Sequence, residues 1–254
     1  MAAYRLATGW LLAWMVCAAG ANPVEKVLRV QPSGPEVPAN LLRVSVTFDQ
    51  PVAGEVQSRL ALRLADGRTL DSPFLPQELW SPDGTVLTLL LHPGRVKTGL
   101  VAHEELGPIL VANEGIVLTL DDRPIKRWRV GPADTEGPVA IRWQLSHVRT
   151  STRQPLAVTL DGPIEGRAVD FLAVADGTGQ RVEGQAYLAA GEGTWMFVPA
   201  MPWRAGTYRL RVRDTLEDAA GNRLGRQFEA ADLSTQARVN EPGIEFSVTA
   251  PGPS

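Results

Sequence analysis

The chain has 254 residues, long enough for two hydrophobic cores of roughly 100 residues each once a leader is set aside. Its net charge of −3, with no basic cluster longer than Lys126-Arg127 plus Arg129, leaves no surface that could neutralise a phosphate backbone, so nucleic acid is excluded as a partner. Cys17 is the only cysteine, which excludes disulfide staples, thiolate-metal sites and a cysteine nucleophile from any product that has lost the N-terminal segment.

That segment, "MAAYRLATGWLLAWMVCAAGANP", carries Arg5, an apolar run over residues 10–16 and the small residues Ala18-Ala19-Gly20-Ala21. This is the three-part plan of a secretory signal, too short for a good membrane span, with cleavage expected after Ala21. An uncleaved anchor and lipidation at Cys17 are the competing readings, and the large residues Trp14-Met15-Val16 ahead of Cys17 oppose the second. The expected localisation is exported: periplasmic, cell-surface or secreted. The mature chain is expected to hold no stable membrane span.

Beyond the leader, short period-two apolar runs alternate with turns rich in glycine and proline, and no convincing helical stripe appears. "VSVTFDQPV" (44–52), "LALRLADGRTL" (60–70) and "VLTLLLHPGRVKTG" (86–99) read as strands that end in turns. "LVAHEELGPIL" (100–110) has helical capacity and is expected to close over these strands. "KRWRV" (126–130) reads as a half-exposed strand. At "GPADTEGP" (131–138) the strand pattern gives way to glycine, proline and charge, which places a boundary there. Strands are then expected near 139–145, 156–160, 169–175, 181–188, 194–198, 207–213 and 225–228, with Trp143 in phase with Ile141 and Leu145, and Trp195 with Phe197, as core residues. The last stretch offers one edge strand at 244–248 and a Gly/Pro tail.

The two halves share a pattern. "VSVTFDQPV" is answered by "LAVTLDGPI" (156–164), "LALRLADGRTL" by "FLAVADGTGQRV" (171–182), and "VLTLLLHPGRVKTG" by "TWMFVPAMPWRAG" (194–206). Three matched blocks in one order, offset by about 105 to 112 positions, indicate a duplicated unit. A unit of this length with about seven strands fits one Greek-key sandwich. The expected fold is therefore all-β, with a signal peptide over 1–21, β-sandwich domains over 24–131 and 138–231, and a C-terminal tail over 232–254 that either adds an edge strand or stays loose.

"RVSVTFDQPV" together with "WMFVPAMPWRAGTYRLRVRDTLEDAAGNRLGRQF" resembles the bacterial Ig-like domains found in surface-layer proteins, in which an extended strand opens the unit and an Asp-x-Ala-Gly-Asn turn closes it. The second half matches across 155–228. The first departs after "LHPGRVKTG", where "LVAHEELGPILVANEGIVLTLDD" replaces the Tyr-rich strand and the closing turn. The resemblance implies an Ig-like sandwich and an extracytoplasmic place, and leaves the ligand open.

The polar constellations assign no catalytic, cofactor-binding or metal residue. "DTLEDAAGN" places Asp214, Glu217, Asp218 and Asn222 within nine positions. Asp214, Asp218 and Asn222 are nevertheless four apart, Gly221 precedes Asn222, and Arg223 and Arg226 stand where a closing carboxylate belongs, so a hairpin turn is expected rather than a calcium loop. His92, His103 and Glu104 are the densest metal-like set, but no helical spacing fixes their geometry, and His147 lies in the other half. The acidic pairs Glu104/Glu105, Asp121/Asp122 and Glu217/Asp218 would point to opposite sides of a strand, and "ADGTGQ" is a hairpin turn rather than a phosphate loop. No Gly-x-Ser-x-Gly elbow is present.

These readings point to a non-catalytic exported Ig-like protein, a structural or protein-binding module of the cell envelope with no cofactor. The alternative is a carbohydrate or cell-wall binding protein whose partner is an envelope polysaccharide, with Trp80, Trp128 and Trp203 as candidates for an exposed aromatic platform. A hydrolase or metal enzyme built on His92, His103 and Glu104 is the third class.

Overall fold

A computed structural model describes residues 25–96, 100–224 and 243–249. The expected signal segment and the expected return strand at 225–228 lie outside the described residues.

The first half contains β1 (Val27–Gln31), β2 (Glu36–Pro38), β3 (Arg43–Phe48), β4 (Leu60–Leu64), β5 (Leu79–Trp80), β6 (Val86–Leu90), the short helices α1 (Pro93–Val96) and α2 (Val101–Leu106), then β7 (Gly115–Leu120) and β8 (Arg123–Gly131). The second contains β9 (Gln144–Leu145), β10 (Leu156–Thr159), β11 (Leu172–Ala175), β12 (Gly184–Leu188), β13 (Thr194–Pro199), β14 (Gly206–Val212) and β15 (Gly243–Val248). Period two explains the strands: in β4, Leu60, Leu62 and Leu64 turn inward and Ala61 and Arg63 outward, and in β14 Tyr208, Leu210 and Val212 are buried between exposed Thr207, Arg209 and Arg211.

The described residues are all-β apart from short helical segments, and their strands form four sheets. In the first half, β1-β3-β6-β5 faces β2-β8-β7-β4 across a core that includes Val46, Phe48, Leu62, Leu89, Leu118 and Val130. In the second, β9-β10-β13-β12 faces β11-β14-β15 across Val158, Leu172, Trp195, Leu210 and Val248. The matched sequence blocks occupy matched places. β3 pairs with β6 as β10 pairs with β13, β4 with β7 as β11 with β14, and β7 with β8 as β14 with β15. Even the parallel contact recurs, as β2 on β8 in one half and as a bridge between Arg149 and Thr249 in the other. This order, A-B-E-D opposite G-F-C, is that of an immunoglobulin-like sandwich.

Several expectations change in detail. Residues 139–145 do not form a strand: Ala140–Arg142 is a 3-10 turn followed by β9, and Ile141, expected in phase with Trp143, is 90% exposed. Asp161 causes the difference, since its carboxylate accepts the N–H of Val139 and the indole N–H of Trp143, bending the chain while drawing Trp143 into the core. Residues 168–171 form another 3-10 turn ahead of β11, and β12 begins only at Gly184. The acidic pairs stand on no strand. Glu104 and Glu105 lie on α2, Glu217 and Asp218 lie in a loop, and Asp121 and Asp122 form the β7–β8 turn with positive φ of 49° and 62°, held by Arg59 and Arg63 respectively.

Trp195 centres the second core. It is 0% exposed, its indole N–H donates to the Val169 carbonyl at 2.9 Å, and its ring stacks on Phe197 at 5.8 Å. Trp195→Ala should lower stability by about 3–5 kcal/mol and move the urea midpoint down accordingly. An unchanged midpoint would contradict its place in the core.

Candidate functional site

The most elaborate polar architecture lies where the halves meet, and the loop after β14 builds most of it. Asp218 accepts the backbone N–H groups of Ala220 (2.8 Å) and Asn222 (2.9 Å) on Oδ1, and the side-chain amide of Asn222 (2.8 Å) on Oδ2. Gly221, at φ +84°, supplies the left-handed residue that closes this turn. The Asn222 amide also donates to the Asp134 carbonyl (3.0 Å), and Asn40 donates to that same oxygen (2.7 Å) while its own Oδ1 accepts the Asp134 N–H (2.8 Å). The connector is thereby gripped from both halves at one residue. Ala219 completes the contact: its carbonyl accepts the Leu42 N–H at 3.0 Å, and its methyl joins the core of the first half. Glu217 binds Arg43 at 2.6 Å and Arg223 at 3.2 Å.

A second clamp faces it. Glu192, at φ +53° and 2% exposed, accepts the Gln31 side-chain amide (3.2 Å) on Oε1 and the Ser33 N–H (2.8 Å) on Oε2. The Gln31 amide reaches the Gly166 carbonyl as well, the Gly191 N–H donates to the Ser33 hydroxyl oxygen at 2.8 Å, and Arg167 donates to the Thr88 hydroxyl at 3.1 Å.

Burial acts on the acids here. It pushes the Asp218 carboxyl up to about 6, the nearby Asp134 carboxylate adds to the rise, and the Asn222 and backbone donors oppose it. Glu165 is likewise raised, mainly by burial, with Arg43 and Arg167 opposing.

Two clefts open at the junction. One, of about 310 Å³, is lined by Asp134, Glu136, Arg142, Asp161, Pro163 and Asp218. The other, of about 210 Å³, is walled by Pro32, Pro35, Pro38 and Pro163, with Glu36 and Glu192 among its lining.

The "DTLEDAAGN" stretch is thus a turn, but not a solvent-facing hairpin tip. Asp214 is exposed and apart, while Asp218 and Asn222 are buried against each other. Sequence reasoning missed its docking on the first half, and also missed Asn40 and Glu192. The legible signal was Ala219-Ala220, two apolar residues where an exposed turn would carry polar ones.

The other candidates are dispersed. His103 Nδ1 lies 2.7 Å from the Arg95 carbonyl, the His92 ring lies over Gly94, and the described residues contain no group of three His, Cys, Asp or Glu placed to hold a metal. The aromatic platform is corrected as well: Trp128 and Trp203 are buried, their indole N–H groups donating to the carbonyls of Pro32 (2.9 Å) and Gln154 (2.8 Å). Trp80 is partly buried, packs on Phe48 and donates to Glu78. Trp128 belongs to the first core, with Trp80 packed against it, and Trp203 belongs to the second.

No family model matches the chain, and no curated protein matches it by sequence. Among solved structures it is similar to the BSP domain of a biofilm-associated protein (9% identity, TM-score 0.27, covering 91% of this chain and 30% of that one). It is also similar to an L,D-transpeptidase from Mycobacterium smegmatis (18%, 0.27, 65% and 61%) and to SGBP-B from a complex xyloglucan utilization locus in Bacteroides uniformis (10%, 0.29, 75% and 46%). The chain spans between 30% and 61% of those proteins' lengths, and likenesses at this level carry no argument about function.

The Asp218 carboxyl makes the junction sensitive to pH. Because its folded-state affinity for a proton exceeds the unfolded one, its contribution to stability is full below about pH 4 and is lost as pH rises through about 6. Between pH 4 and 7 the wild type should lose up to roughly 3 kcal/mol relative to Asp218→Asn, measured by urea unfolding at each pH. Parallel pH profiles for the two proteins would contradict the assignment.

Proposed function

We propose that the protein is exported and serves the cell envelope as a non-catalytic Ig-like structural or protein-binding module. In this reading residues 1–21 are a signal peptide, 24–131 and 138–231 are tandem Ig-like domains, and the tail over 232–254 contributes an edge strand. The leader pattern, the duplicated blocks and the duplicated pairing order support it. Among the described residues no helix is long and apolar enough to cross a membrane.

The observation that carries the reading is the fate of the indoles. A polysaccharide site of the expected kind stacks sugar rings on aromatic faces presented in a row. Trp128, Trp143, Trp195 and Trp203 are instead buried, each indole N–H bonded within its own chain, and Trp80 leans on Phe48. His92 and His103 are taken up in local packing and backbone contact around α1, which favours a structural role over catalysis.

The test is photo-crosslinking in the producing cell, with the reactive group placed in turn at exposed Leu28, Val101 and Tyr187. Discrete protein adducts of the exported form from at least one position, together with no binding on an array of envelope glycans, are expected. Saturable glycan binding that is lost in Trp80→Ala would overturn the reading in favour of a carbohydrate-binding protein.

A further inference from the structure

The smaller junction cleft has a composition that the fold does not require. Pro32, Pro35 and Pro38 of the first half and Pro163 of the second form its walls, and proline rings present apolar surface with no backbone N–H. Gly34 and Gly191 lie at its base, so close that a Cβ on Gly34 would stand 3.6 Å from the Gly191 Cα, and neither sends a side chain into the space. Three acidic residues, Glu36, Asp134 and Glu192, belong to the lining, and among the described residues no lysine or arginine does. Among the described residues no ion pair engages any of the three. Glu192 is almost wholly buried, and the bonds described for its carboxylate come from the neutral donors Gln31 and Ser33. Lys126, on the adjacent β8, is occupied by the Ser33 carbonyl at 2.5 Å and by the Trp128 ring.

We propose that this cleft is the seat for one basic side chain, lysine or arginine, presented by a protein partner. The inference rests on the protein-binding reading above and names the chemistry that such a partner must offer. Acidic side chains against apolar walls, with no lysine or arginine of the described residues in the lining, give a local field that favours a cation. The apolar walls select one that carries a hydrocarbon stem, as lysine and arginine do. The volume of about 210 Å³ is below the roughly 300–1,000 Å³ of sites that enclose a drug-sized ligand, and suits a single side chain. A hard divalent ion fits poorly, because it demands about six to eight oxygens where the walls here are pyrrolidine rings. A basic anchor entering a desolvated pocket is also the usual form of an interface hot spot.

The experiment is an NMR titration of the purified full chain with N-acetyl-arginine methylamide and N-acetyl-lysine methylamide, with the norleucine analogue as the uncharged control. Saturable shifts confined to the amides of Gly34, Glu36, Gly191, Glu192 and Ala219 are expected from both basic probes, with dissociation constants on the order of millimolar, and none from norleucine. Glu36→Gln combined with Asp134→Asn should weaken binding about five- to tenfold, since the Asp134 contacts that clamp the connector use its backbone. Glu36→Lys, at an exposed position where folding is safe, should abolish it. Absence of saturable shifts, equal binding of norleucine, or undiminished binding by the charge variants would each overturn the proposal. Photo-crosslinked protein adducts that persist alongside a silent cleft would overturn this seat while leaving the protein-binding reading intact. Loss of the adducts themselves would strike that reading instead.

Discussion

The structure depends on the backbone of one residue, Asp134. Its carbonyl oxygen receives Asn40 from the first half and Asn222 from the second, and its N–H returns to Asn40. A connector rich in glycine, proline and charge would ordinarily leave two sandwiches free to pivot, because interfaces between such units are small and polar. Here that freedom is opposed by hydrogen bonds that are exchanged for water when the halves part, each worth about 0.5–1.5 kcal/mol net, and by the burial of Ala219 in the first core.

The Asn222 amide is available only because Asp218 shapes the loop that carries it. A carboxylate leaving water must find donors at once, and Asp218 finds three inside its own turn. The cost of burial remains visible in its raised pKa. The loop converts that cost into position: with Asp218, Gly221 and Asn222 closed on themselves, Ala219 is left at the crest, small enough to enter the neighbouring core and close enough to accept the Leu42 N–H. Glu192 performs the same service on the other side, an acid held by neutral groups in the partner half. The clefts follow from these clamps, since rigid prolines and facing glycines cannot collapse into the space between them.

The equivalence of β3 and β10 was legible in the duplicated blocks, since "VSVTFDQPV" and "LAVTLDGPI" alternate alike. What was not legible arose from contacts distant in sequence. Ile141 appeared to alternate with Trp143, but a carboxylate 22 residues from Val139 bends that segment. Trp128 and Trp203 flank turns and charged residues, which suggested exposure, yet each indole finds a carbonyl 96 or 49 positions away. Asp218 and Asn222 were read correctly as turn formers, whereas the burial of that turn against Leu42 depends on an approach that no local pattern encodes. Sites formed between two halves are the least visible in sequence, since neither half alone holds their composition.

The central claim is that the junction makes the two halves one cooperative body. Differential scanning calorimetry of the wild type and of Ala219→Asp, which would force a charge into the first core, tests it most directly. The account predicts a single wild-type transition whose calorimetric and van't Hoff enthalpies agree, splitting into two in Ala219→Asp. Two separate wild-type transitions that Ala219→Asp leaves in place would contradict it.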